Sequence, residues 1–418
     1  MDRSIAPAFL EPKIFELPRP ELIELGSGYR FFSLNSGDQP VIKIEFIFRA
    51  GSWFEAIPGL AHFSGKMLLE GTKNWSSKQI ANKLDNYGAF VEVKPGMDFI
   101  NLSIHIPSRH FAAIELILSE ILFYPTFPDA ELKLMKQIQV QQIKVNQHKN
   151  SFVASRIFRS KLFGNQGYGK LMTEDTIGQI KKVNLQEHFE TMMDGRFEIF
   201  LTGQFDDTLP ERIIHLVKNR LKVRDEVDGL TMHGQDHFEV YKDKKGSLQS
   251  SIYMGSRMVN KHDSRFPKLL LLNEVFGGYF GSRLMQNIRE DKGFTYSIYS
   301  HLVSLKEDAY FLIRSEVKKD KKEETIEEIY KEIEKLKSDP IDQDELEMAK
   351  NYLKGSILNA LTTPFAITEK WKNIHLYGLD DQFYVKLFED IDATNRSELM
   401  DIANELLFRD QLSSVVVG

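Results

Sequence analysis

Cysteine is absent from the 418-residue chain. That excludes disulfides, thiolate zinc sites, iron–sulfur clusters and a cysteine nucleophile, and it fits a reducing compartment. A surplus of positive charge is also missing: 54 Lys and Arg stand against 60 Asp and Glu, a formal net charge of −6. A mildly acidic chain has no general attraction for phosphate backbones, so no nucleic-acid partner is expected. Long hydrophobic runs are missing too. The first thirty residues hold no apolar signal-type core, and no later run approaches the roughly 18–20 apolar residues of a membrane helix. The longest apolar stretches, such as residues 116–124, are interrupted by charge or suit a buried core element. The expectation is a cytoplasmic protein with no membrane contact.

What is present is ordinary for a globular chain, with 42% hydrophobic and 27% charged residues. At roughly 150 residues per domain the length allows two or three domains. The pattern favours two. In the first half, residues 29–35 and 41–50 read as strands around an Asn-Ser-Gly-Asp turn. Helices follow at 60–69 and from Ser77 to Gly88, then strands at 90–94 and 99–106, a helix at 109–123, and a long helix from Asp129. The second half repeats this order, with a strand at 248–255, helices from Lys268 and over 282–291, strands at 295–304 and 309–317, and a helix at 323–337. Asp342 and Glu345 have capping-box spacing for the next helix. Glu131-Leu132 with Lys136 matches Glu345-Leu346 with Lys350 (345 − 131 = 214), which points to two copies of one unit. We place the halves at 1–223 and 238–418, joined by the polar stretch RDEVDGLTMHGQDH at 224–237. Links as short as 95–98 exclude a parallel crossover there, so each half is expected to be α+β, an antiparallel sheet with helices on one face.

Residues 59–72, GLAHFSGKMLLEGT, carry the most information in the first half. They resemble the zinc helix of the pitrilysin and insulinase peptidases, whose motif is H-x-x-E-H. In that family two histidines four apart bind zinc, the glutamate between them activates water, and a distal glutamate completes the site. On this frame His62 holds the first ligand position, Gly65 replaces the base, Lys66 replaces the second histidine, and Gln142, beside Gln141, stands at the distal position. Glycine moves no proton, an ammonium has no lone pair, and an amide is a poor zinc ligand. No metal or other cofactor is therefore expected on this chain, and His62 reads as a helix histidine. No nucleophile–base pair replaces the metal, because Ser64 lies two residues from His62 and i, i+2 side chains do not face each other on a helix. His233 and His237, with Asp236 between them, read as solvated linker residues, and His105 and His110 as structural.

Residues 276–297, FGGYFGSRLMQNIREDKGFTYS, are the strongest signal. They resemble the C-terminal signature of the same peptidases in their short bacterial subfamily: a glycine turn, Ser-Arg-Leu, then an arginine and, seven residues on, a tyrosine. Arg289, Gly293 and Tyr296 fill those places, and Gln166-Gly-Tyr-Gly169 and Leu201-Thr-Gly-Gln204 extend the likeness over both halves. Arg289 should close a helix with Gly293 as its left-handed stop, and Tyr296 should open the next strand. A guanidinium can donate to a peptide carbonyl and a phenol to an oxyanion. The competing structural reading pairs Arg289 with Glu290 or Asp291 and makes Tyr296 a sheet aromatic.

The resemblance implies further expectations. Peptide substrate adds as a strand to a sheet edge in this family. The matching edge runs through Gly88, Ala89, Phe90, Val91 and Glu92, and carries Glu92-Val93 where active members often have Asn-Ala. The chain is expected to be a zinc-less subunit that pairs with a homologous H-x-x-E-H-bearing chain, holds zinc only through that partner, and supplies Arg289 and Tyr296 in trans. A homodimer is the other assembly considered. The rival function is a structural or peptide-binding protein with the same fold and no part in proteolysis.

Overall fold

Eleven strands form two sheets in the structure, a computed structural model that describes residues 16–26, 29–195, 197–218, 234–235, 237–407 and 409–418. The first sheet uses β1 (Glu21–Glu24), β2 (Arg30–Asn35), β3 (Val41–Phe48), β4 (Phe90–Pro95), β5 (Ile100–Pro107) and β6 (Phe197–Gly203) in the order β1-β2-β6-β3-β5-β4. The second uses β7 (Glu239–Lys242), β8 (Gln249–Arg257), β9 (Thr295–Ser304), β10 (Ala309–Lys318) and β11 (Ser413–Val417) in the order β7-β11-β8-β10-β9. Leaving β1 aside, the two orders coincide strand for strand. The long helices Asp129–Asn146 and Gln343–Asn359 also begin 214 residues apart. The internal repeat is thus a repeat of topology. Of the stretch 224–237 only 234, 235 and 237 are among the described residues, so the proposed His233 and Asp236 pairing with His237 lies outside them.

The α+β expectation holds, with two differences in detail. Each sheet is mixed: β2 pairs parallel with β6, and β7 parallel with β11, while the other pairings are antiparallel. The parallel partner arrives only after the helices of its half, a long-range pairing that short links cannot reveal. Helices also cover both sheet faces. On β3, Ile42, Ile44, Phe46 and Phe48 face the half's own helical core. The opposite face, with Phe32, Ile47 and Phe200, packs with Leu376 of the helix Pro364–Tyr377 from the second half. The exchange is reciprocal. Ala154, Phe158 and Leu162 of the helix Asn150–Phe163 pack on Tyr253, Val415 and Val417 of the second sheet. Among the described residues no helix is long and apolar enough to cross a membrane.

Candidate functional site

The helix Leu60–Lys66 lies over β4 and β5 and is pinned at its start by a residue the motif did not point to. Glu55 is buried, and its Oε2 accepts from the Ala61 N–H at 2.9 Å. Burial pushes this carboxyl above its ordinary range, against the N–H donors of Ala61 and Gly59. Lys170, from the end of the Gln166-Gly-Tyr-Gly run, donates to the Glu55 carbonyl at 2.6 Å. Nothing in the local sequence marks Glu55 as a cap, because its partner is six residues away.

At the position of the missing base the space is tight. A Cβ on Gly65 would lie 3.0 Å from Pro95 Cγ, 3.2 Å from Val93 Cγ1 and 3.3 Å from Ile100 Cγ2. The helix packs closely on the sheet at this point. Four residues along from His62, Lys66 adds a fixed positive charge. Burial, and then Lys66, hold the His62 imidazole below its usual proton affinity. Gln142 is exposed on the helix Asp129–Asn146. That helix starts after Pro128, with no side-chain cap. The donor set does not fit zinc, and among the described residues no group of three His, Asp or Glu side chains could hold a metal.

The expected peptide edge divides into two parts. Gly88 and Ala89 belong to the stop of the helix Ser77–Asn86, where their N–H groups bond to Asp85 and Leu84 carbonyls. Phe90, Val91 and Glu92 lie on β4, the outer strand of the first sheet, opposite His105, Ile104 and Ser103. Glu92 pairs with Lys94 at 2.9 Å, and this bond, with further help from Lys66, holds its carboxyl below the ordinary range. Two lysines, Lys94 and Lys66, therefore act on this edge at Glu92.

In the second half, the expected 282–291 helix is continuous from Arg283 and widens into π-turns over Met285–Asp291. Gly293 closes it at φ 63°, with its N–H on the Arg289 carbonyl and the Phe294 N–H on Ile288. Such a left-handed stop suits glycine. Two residues on, β9 begins, and its register against β10 shifts across Tyr296 and Ser297. Tyr296 is 88% exposed on this outer strand. By the repeat, β9 is the counterpart of β4, so the tyrosine and the expected peptide edge occupy the same element in the two halves. Arg289 lies over the ring of Phe280 at 4.7 Å and has Glu290 3.3 Å from its Nε. Arg283, of the Ser-Arg-Leu run, makes a bidentate pair with Glu345 at 2.8 and 2.9 Å. That contact replaces the expected capping box; the helix Gln343–Asn359 is capped by Asp342 on Asp344 N–H.

Beyond the far end of β9 the halves are joined by Tyr168, whose hydroxyl donates to Asp98 Oδ1 at 2.5 Å and accepts from Glu307 N–H at 3.1 Å.

Sequence profiles of known families match both halves. Residues 30–175 match the insulinase family, peptidase family M16, and residues 196–353 match the profile described as the peptidase M16 inactive domain. The chain belongs to the M16 peptidase family. Within M16 it is 25% identical over 364 residues to the uncharacterized zinc protease YmxG of Bacillus subtilis, covering 86% of this chain and 88% of that one. It is 24% identical over 356 residues to the non-peptidase homolog YmxG of Helicobacter pylori, covering 82% and 80%. The crystal structure of a peptidase M16 inactive domain from Pseudomonas fluorescens superposes with a TM-score of 0.87 at 21% identity, covering 96% of this chain and 98% of that one. At that identity the likeness speaks for the M16 fold.

Proposed function

We propose that this M16 homologue is the non-catalytic subunit of a two-chain zinc peptidase. In this reading it binds an unfolded peptide segment and presents Arg289 to a peptide carbonyl and Tyr296 to the developing oxyanion, while a homologous chain with an intact H-x-x-E-H helix carries the zinc. The observation that carries the reading is the contrast between halves. Gly65 sits where any added side chain would crowd Pro95, Val93 and Ile100, whereas Arg289, Gly293 and Tyr296 keep a helix–stop–strand arrangement with Tyr296 exposed. The Lys66 cation beside His62 also disfavours metal binding there. The lack of cysteine suits a reducing compartment, and we assign the pair to the cytoplasm.

The test is reconstitution. Mixed with a zinc-motif homologue from the same genome, the chain should generate peptidase activity that neither protein shows alone. Tyr296→Phe should then lower kcat about 100-fold, the usual loss of one oxyanion donor, with peptide KM and zinc content little changed. Equal activity in that variant would remove Tyr296 from the mechanism. A second reading, a peptide-binding protein outside proteolysis, draws on the closed-in position of Arg289 against Phe280 and Glu290, and on the name of the Helicobacter relative. It predicts peptide binding with no activity in any mixture.

A further inference from the structure

A cavity of about 580 Å³ lies between the helix Asn150–Phe163 of the first half and the strands β7 and β11 of the second. That size is typical of small-molecule sites, roughly 300–1,000 Å³. Its charge is one-sided. Arg156 and Lys161 project from the helix, Lys242 ends β7 and Lys244 follows it, and no carboxylate lines the space. Among the described residues none of the four has an ion-pair partner. The nearby Asp243 is taken by Lys319 at 3.1 Å.

Arg156 is held in place before any ligand arrives. Its Nη2 donates to the Met172 carbonyl at 2.6 Å, and its guanidinium lies over Phe152 at 5.3 Å. Burial, and then the neighbouring Arg159, lower its affinity for a proton. A cation desolvated beside a second cation gains more from an incoming anion than one in water does. A guanidinium fixed by other contacts also loses little freedom when it binds one. Lys244 is anchored likewise, by the carbonyls of Gln147 and His148. The remaining wall is apolar, from Val153, Ile157, Leu171 and Val417 with Phe152. An inorganic ion alone would leave that wall wet.

We propose that this cavity binds a phosphorylated small molecule with a planar or apolar moiety, of the nucleoside phosphate class, with the phosphates among the four cations and the apolar part against Phe152 and Ile157. The ligand would bridge the two halves and stabilise them together. The inference is independent of whether the chain serves a peptidase.

Calorimetric titration of the full chain with ATP, and with adenosine as the uncharged control, tests it. ATP should bind saturably at one site per chain, more weakly as salt is raised, and adenosine should not bind at the same concentrations. Arg156→Gln should weaken ATP binding by about tenfold or more, the loss of one charge-assisted contact. Because Arg156 also supports the Met172 segment, the exposed pair Lys161→Gln and Lys242→Gln serves as a second variant, with unchanged melting temperature as its folding control. Absence of saturable ATP binding, adenosine binding as tight as ATP, or undiminished affinity in the lysine variant would overturn the assignment.

Discussion

Gly65 shows how one position can close a chemistry. A glutamate restored there would crowd its neighbours, because the first atom of the new side chain meets Pro95, Val93 and Ile100 at 3.0–3.3 Å. Gly65→Glu is expected to overpack this contact and lower stability by about 1–3 kcal/mol, read as a fall in urea midpoint without a change in slope. Dialysis against zinc followed by metal analysis should show no bound zinc in the same variant. A stable Gly65→Glu chain with stoichiometric zinc would mean the helix can lift from the sheet. The missing ligands were legible in the sequence because a motif with one survivor, His62, fixes the frame for the others. The closure itself was not legible, since it depends on β4 and β5 passing beneath the helix. Glu55 escaped for a similar reason: its partner N–H groups belong to a turn of helix that only tertiary placement brings back to it.

At the scale of elements, the glycine-rich break at 276–282 stands out. The preceding helix Phe266–Asn273 runs into a π-turn, Glu274–Gly278, and π-turns gather at functional positions. Glu274 is its least comfortable member. Burial pushes its carboxyl up to about 7, and Oε2 has no hydrogen-bond partner among the described residues. Gly278 gives the carboxyl its room, since a Cβ there would lie 2.6 Å from Oε2. The sign of the linkage follows. The unfolded chain releases this proton near 4.5 and the folded chain only near 7, so between those values the folded state binds more protons and stability falls as pH rises. Glu274→Gln cannot ionise. It should match the wild type near pH 4.5 and exceed it by about 1–3 kcal/mol at pH 8, after discounting for the solvent that reaches a half-buried residue. Urea unfolding at both pH values decides, and parallel profiles would show that the carboxyl finds a partner. Sequence alone gave the break and the helix after it, but not the π-widening, whose Met285 and Ile288 are buried in the core of the second half.

The whole molecule is held by an exchange that strand patterns disguise. In β3 the alternation of Ile42, Ile44, Phe46 and Phe48 with Lys43 and Glu45 reads as a strand with one wet face. Yet Glu45 is 1% exposed, because the helix Pro364–Tyr377 of the other half lies over that face. It brings its own charges. Lys372 Nζ meets Glu45 Oε1 at 2.7 Å and Glu369 at 2.9 Å, Lys43 joins both carboxylates at 3.0 and 2.7 Å, and Asn101 donates to Glu45 at 2.9 Å. The repeat was legible because each half obeys the same local rules; the clasp was not, because polar residues awaiting a partner look like polar residues facing water. Removing one partner from a buried network leaves an uncompensated charge, whereas removing both can be nearly neutral. Lys372→Met should therefore cost about 2–4 kcal/mol, less than the full penalty because Lys43 remains, and Lys372→Met combined with Glu45→Met should cost less than the single change. The reciprocal seat of the helix Asn150–Phe163 on the second sheet makes each half part of the other's core, so the wild type should unfold in one cooperative transition. Urea titrations followed by both fluorescence and circular dichroism test the two claims together. Additive costs in the double variant would show that Lys372 and Glu45 are not coupled, and two separate wild-type transitions would show that the halves stand without the exchange.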